Sequence, residues 1–132
     1  SYEDYYEFSF KYMLKISNYL KEKYPHIAII LFPKAVSSFL PQIDGNFDVL
    51  SVDWQTSLEY ARDTLSHKYT IQGNMDPSKI HSKDSIDEAV ERITDIMKGK
   101  PHIFNFGHGI MPTAKPELVK YLVQQVQEKT KR

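Results

Sequence analysis

Cysteine is absent from the 132 residues, which removes disulfides, a thiolate nucleophile and cysteine-ligated zinc from consideration. A charge of one sign is missing too. With 17 basic and 17 acidic residues, the chain carries no general field for nucleic acid or an anionic membrane, so any anion must be met by local groups. No apolar run approaches the roughly 20 residues that cross a bilayer. Nucleic acid and membrane are therefore not expected as partners. There is no Gly-Ser or Pro-rich linker, no low-complexity stretch and no internal repeat beyond a strand-helix period, so residues 1–132 are expected to form one domain. An initiator Met and a signal segment are also lacking: Ser1 runs at once into an amphipathic pattern. The expectation is a cut made inside a longer protein.

What is present is periodic. Apolar residues recur at Tyr5, Phe8, Tyr12, Ile16 and Tyr19, with a second row at Met13 and Leu20, the spacing of an amphipathic helix over residues 5–23. Pro25 forces its end. The run Ile27, Ala28, Ile29, Ile30, Leu31, Phe32 is almost wholly apolar and fits a strand buried on both faces. Residues 36–40 read as a short helix, 47–52 as a second strand, 56–65 as a helix and 68–72 as a third strand ending in the turn signal Gly73-Asn74. Ser82 or Ser85 caps the next helix, the latter with Glu88 in a capping-box pattern, and Ile86, Ala89, Val90, Ile93 and Met97 form its buried stripe before Gly99. A fourth strand over 101–106 leads to Gly107-His108-Gly109, and Pro116 opens a last helix with Leu118, Val119, Leu122, Val123 and Val126 inward. Strands that alternate with helices in this way imply an α/β fold with a parallel sheet, either doubly wound or a barrel segment. A complete (β/α)8 barrel takes about 250 residues, roughly twice this chain.

Each strand is followed directly by a polar or glycine-rich cluster: Pro33-Lys34, Asp53-Trp54, residues 72–77 and residues 105–109. In parallel α/β folds the C-terminal ends of the strands form the ligand-binding face, so the four clusters converge on one site. Gly73, Asp76, Pro77 and Gly109 serve equally well to turn the chain and cap helices, and Asp76 before Pro77 has the form of an N-cap. His108 stands out: its flanking glycines let backbone and ligand approach, and its imidazole can donate to a carboxylate or move a proton near neutral pH. His26, His67, His81 and His102 show no metal-ligand spacing. Lys34 is able to pair with an anionic substrate, although a loop lysine is more often solvated, and Asp53-Trp54 fits a structural role.

Two of these clusters, Gln72-Gly73-Asn74-Met75-Asp76-Pro77 and Phe104-Asn105-Phe106-Gly107-His108-Gly109-Ile110, resemble the late motifs of the uroporphyrinogen decarboxylase family. Asp53-Trp54 resembles that family's Leu-Asp-Trp, Leu31-Phe32-Pro33-Lys34 its Phe-x-Lys segment, and Pro116-Glu117 with the Val-x-x-x-Val helix its ending. The resemblance implies a (β/α)8 TIM barrel of which this chain is the C-terminal half, four parallel strands alternating with helices, with the N-terminal half absent. It implies a cofactor-free, metal-free decarboxylation of the four acetate arms of uroporphyrinogen to give coproporphyrinogen, in the cytoplasm or a plastid, by a homodimer. His108 matches the family's active-site histidine, and Phe32, Gly107 and Gly109 are expected beside it in the substrate cleft. The family's central aspartate, arginines and catalytic tyrosine belong to the earlier strands, so this chain alone is expected to be inactive. Where many members have glycine or aspartate after the lysine, this chain has Ala35; alanine is denied the conformations open only to glycine, so no contact is assigned to Lys34. Two other readings are a zinc-dependent corrinoid-type methyltransferase of the same barrel family, which uses cysteine ligands, and a non-catalytic half-barrel that self-associates through its open edges.

Overall fold

The computed structural model describes residues 1–131. Short β-rich segments form β1 (Ile30–Leu31), β2 (Val49–Ser51), β3 (Thr70–Gln72) and β4 (His102–Ile103). Before β1 the chain is helical through α1 (Tyr2–Tyr5), a π-helical turn (Tyr6–Phe10) and α2 (Lys11–Lys23). Helices α3 (Leu58–Leu65), α4 (Lys83–Ile96) and α5 (Pro116–Lys129) follow β2, β3 and β4 in turn. Two 3-10 helices, Ser37–Gln42 and Pro77–His81, lie in the first and third connections. Caps follow side-chain chemistry: Ser57, Asp76 and Ser82 each accept an amide proton from the first turn of the helix they open. Ser82 therefore caps α4. Ser85 lies buried inside it.

All four strands are parallel, in the order β1-β2-β3-β4. A doubly wound sheet reverses its direction of winding at a switch point, whereas this order only advances. The fold is a segment of a barrel wall. Register sets the two faces: Leu31, Leu50, Ile71 and His102 form one row across the sheet. The first three join Leu58, Ala61, Ile86 and Val90 in one buried cluster, each large side chain contributing about 2 kcal/mol by leaving water.

The other face is open where the sequence suggested burial on both sides. Ile30 is 49% exposed, Phe32 43% and Ile103 39%, because this is the face that would look into the barrel and only part of the wall is here. Ser51 and Gln72 in the middle of that face are tied together, the Gln72 Nε2–H donating to Ser51 Oγ at 3.0 Å.

Two expected stripes are also corrected. In the first helical stretch, the core takes Phe10 and Ser17, with Met13 and Leu14 partly buried. Phe8, Tyr12, Ile16 and Tyr19 face solvent, Phe8 at 78% exposure. This stretch carries apolar residues on two faces, and the more aromatic one is outward. In α5, Leu122 is buried and Leu118, Val119 and Val126 are partly so, but Val123 is 50% exposed. It lines a groove of about 290 Å³ between α5 and Phe104 and Phe106 beyond β4, beside the strand's unpaired edge.

His102 belongs to the covered face. Its Nε2–H donates to the Gly73 carbonyl at 2.5 Å, and burial pushes the imidazole down from the ordinary 6.5, with this hydrogen bond acting in the opposite sense. The unfolded chain therefore takes up the proton first as pH falls, so stability present above 6.5 is lost on going below it. The urea midpoint is expected to fall between about pH 7.5 and about pH 5.5, with a smaller fall in His102→Gln. Equal falls in the two proteins would contradict the assignment.

Candidate active site

The loops leaving the carboxyl ends of the strands meet at Asp53. Its side chain is 2% exposed. Oδ2 accepts the Ala35 amide at 2.6 Å, while Oδ1 accepts the amides of Gln55 and Thr56 at 3.1 and 3.0 Å and the Thr56 hydroxyl at 2.9 Å. Such bonds to a carboxylate are the strong kind. They tie the loop after β1 to the loop after β2. Asn74, also buried, donates its Nδ2 protons to the carbonyls of Asp53 at 2.8 Å and Thr56 at 2.6 Å, which brings in the loop after β3. The fourth loop is joined through Gly107, whose amide donates to the Met75 carbonyl at 2.8 Å and whose carbonyl accepts the Trp54 amide at 3.2 Å.

Asp53 thus takes the structural role that its sequence setting suggested. Ala35 gives a different result. It adopts φ 60°, a left-handed conformation that alanine reaches at a cost of about 1 kcal/mol, and the Asp53 carboxylate holds its amide there. The turn that glycine would make is therefore made with alanine. It directs Lys34 across the sheet to His108, with Nζ and Nε2 3.3 Å apart. An ammonium group has only donors, so Nε2 accepts and the ring proton of this contact sits on Nδ1.

His108 projects into a cleft of about 400 Å³ on the open face, bordered by Phe32, Ser51, Gln72, Asn105, Phe106 and Ile110. Gly109 also lines this space, and a Cβ added there would meet nothing within 4 Å. Behind His108 lies a second hollow of about 270 Å³ against Trp54, Asp76 and Met111. Gly107 is buried, and both its backbone polar groups are engaged within the protein, so it sits under the cleft while His108 and Phe32 stand in it. The arrangement offers an imidazole, two amide side chains and the Ser51 hydroxyl among apolar side chains, with an ammonium group against the imidazole, a setting suited to an acid arm carried on a flat apolar body.

The family model described as Uroporphyrinogen decarboxylase (URO-D) matches residues 1–129. The chain belongs to the uroporphyrinogen decarboxylase family. Relatives named uroporphyrinogen decarboxylase include one from Campylobacter jejuni (strain 81-176), 57% identical over 127 residues, which are 96% of this chain and 37% of that protein. One from Campylobacter lari is 55% identical over 130 residues, 98% of the chain and 38% of its relative, and one from Campylobacter fetus is 49% identical over 126 residues. The chain spans about 37% of the length of the curated relatives it matches, less than the half that four strands of an eight-stranded barrel suggested. Its strands are those of a uroporphyrinogen decarboxylase barrel wall.

Sequence reasoning found the His108 cluster and the four converging loops. It missed the Lys34 contact and the part played by Asn74. Asn74 was visible as half of a turn signal, Gly73-Asn74, and as a member of the cluster 72–77, but its side chain was given no role; the clue was its place just after a strand, where a buried amide can bridge to neighbouring loops.

Proposed function

We propose that the whole protein is a carboxy-lyase that removes the four acetate carboxyls of uroporphyrinogen to give coproporphyrinogen, and that this chain supplies one wall of its cleft. The observation that carries this reading is the convergence of His108, Phe32, Gln72 and Asn105 on one cleft at the carboxyl ends of strands that match the family. Each turnover of one arm converts a ring-bound acetate into a methyl group: a proton on the pyrrole makes an electron sink, carbon dioxide leaves, the methylene carbon is protonated, and the ring gives back its added proton, so that one proton is consumed in all. The chemistry is that of the substrate's own ring and calls for no metal or organic cofactor. The protein's task is to hold anionic arms and place protons. His108, exposed in the cleft and hydrogen-bonded to Lys34, is the group suited to hold a carboxylate or deliver a proton. Phe32 supplies apolar wall, Gly109 leaves the ligand room beside the imidazole, and Gly107 beneath the cleft lets the loop after β2 come close.

A cleft of about 400 Å³ accommodates one pyrrole and its arms, and the rest of the macrocycle needs the walls that this chain lacks. The relatives extend well beyond the matched region, and Ile30, Phe32 and Ile103 on the inner face, the edges of β1 and β4, and the groove beside α5 are surfaces that a further barrel portion would cover. We assign them to the upstream part of the barrel, with the complete protein acting as a cytoplasmic homodimer. Without that part, these apolar surfaces favour self-association and no turnover.

His108→Ala in the complete protein is expected to lower kcat about 10²-fold, the scale of one preorganised polar group. Anaerobic turnover of uroporphyrinogen, with products separated by chromatography, measures it. A variant as fast as the parent protein would remove His108 from the mechanism.

A further inference from the structure

We propose that Lys34 binds a carboxylate of the substrate, forming with His108 a two-residue clamp at the cleft; this rests on the functional reading above. The contact joins residues 74 apart in the chain, Nζ to Nε2 at 3.3 Å. Other lysines in contact with a charged partner meet carboxylates: Lys11 with Glu7, Lys21 with Asp48, Lys68 with Asp44 and Lys129 with Glu91. Lys34 meets an imidazole, and among the described residues no carboxylate pairs with either Lys34 or His108.

The placement of this ammonium group is built into the fold. Pro33 before it is buried, and the Ala35 amide after it is held by Asp53 at 2.6 Å, so the Lys34 backbone is fixed from both sides. Among the described residues no acidic side chain lines this cleft. An uncompensated cation held against His108 at the rim of a cleft of apolar and amide groups is a receptor for an anion. An arriving carboxylate displaces the imidazole lone pair as the acceptor for Nζ. His108 Nε2, its lone pair released, is then free to take a proton, and only after that to donate one to the same arm. The clamp thus links arrival of an acid arm to availability of the imidazole, and it selects acid arms over uncharged arms of the same length.

The test uses the complete protein, with this chain as its C-terminal part. Binding of uroporphyrin, the oxidised and unreactive form of the tetrapyrrole, and of its octaamide is followed by porphyrin fluorescence in the parent protein, Lys34→Met and Lys34→Arg. Lys34 is exposed, so both variants are expected to melt with the parent protein. The clamp predicts that Lys34→Met binds uroporphyrin about tenfold more weakly, the scale of one charged hydrogen bond. Binding of the octaamide should not change, and Lys34→Arg should restore most of the loss. Equal uroporphyrin affinities in the parent protein and Lys34→Met overturn the proposal, as does an equal loss for acid and amide, which would show a change of shape rather than of charge. Turnover of uroporphyrinogen by the parent protein is read separately. A charge-selective loss of binding without any turnover would keep the clamp and reject the decarboxylase reading; turnover with unchanged binding in Lys34→Met would do the reverse. A parent protein that does not bind uroporphyrin rejects both.

Discussion

Asp53→Ala is expected to destabilise the protein by about 4 kcal/mol, since each donor left buried and unsatisfied costs about 1–3 kcal/mol. The carboxylate accepts three backbone amides and one hydroxyl, from Ala35, Gln55 and Thr56, within a site where Asp53 and Thr56 are both buried. Alanine leaves those donors in place and removes their side-chain acceptor, only the Thr56 amide keeping a second one in the Asp53 carbonyl at 3.2 Å. The loss also frees Ala35 to abandon its left-handed conformation, so the Lys34 contact with His108 should go with it. Asp53→Asn keeps one acceptor oxygen and is expected to lose about half as much. Urea unfolding measures both, with the slope of the transition held constant as a check that only stability has changed. A loss below about 1 kcal/mol in Asp53→Ala would mean that water or rearrangement satisfies these donors and that Asp53 is no clasp.

The second large effect is expected from Gly107→Ala, at about 3 kcal/mol. A Cβ on Gly107 would lie 2.2 Å from the Trp54 amide nitrogen, 2.6 Å from the Trp54 Cα and 2.8 Å from the Asp53 carbonyl carbon. These are backbone atoms of the clasped loop, which cannot swing aside as the end of a long side chain can. Either β4 moves away from the loop after β2, breaking the Trp54 amide to Gly107 carbonyl bond, or Asp53 leaves its place. Gly109 is the matched control two residues on. A Cβ there meets nothing within 4 Å, so Gly109→Ala is expected to change stability by less than about 0.5 kcal/mol. Comparable losses for the two substitutions, measured by thermal unfolding, would show that the Gly107 packing is not what holds this corner together.

The alternation of strand and helix was readable because it is local. An apolar run such as Ile29 to Leu31, a cap such as Asp76 and a breaker such as Pro25 each act within a few residues. Strand order is not local, and the choice between a doubly wound sheet and a barrel wall came from a family resemblance that the sheet order then supported. The inner face was misread for a related reason: Ile30 and Phe32 have the composition of fully buried strand residues, but what would bury them is not in this chain. Helix α2 and the π turn before it carried two candidate apolar faces, and periodicity cannot say which one meets the core.

The site followed the same division. His108 announced itself through its flanking glycines at the end of a strand, and Asp53 through its place after β2. Lys34 did not, because its contact depends on a left-handed alanine that no propensity favours and on a carboxylate 18 residues further along that holds it. That alanine had been the reason for setting Lys34 aside.

The central claim is that this chain supplies one wall of a uroporphyrinogen-decarboxylating cleft and depends on the upstream part of the barrel for the rest. Anaerobic turnover of uroporphyrinogen by the chain, alone and mixed with the separately prepared upstream part, tests it most directly. Coproporphyrinogen formed only by the mixture, and lost when the chain carries His108→Ala, is the predicted result; product formed by the chain alone, or no product from a mixture that does assemble, would contradict it.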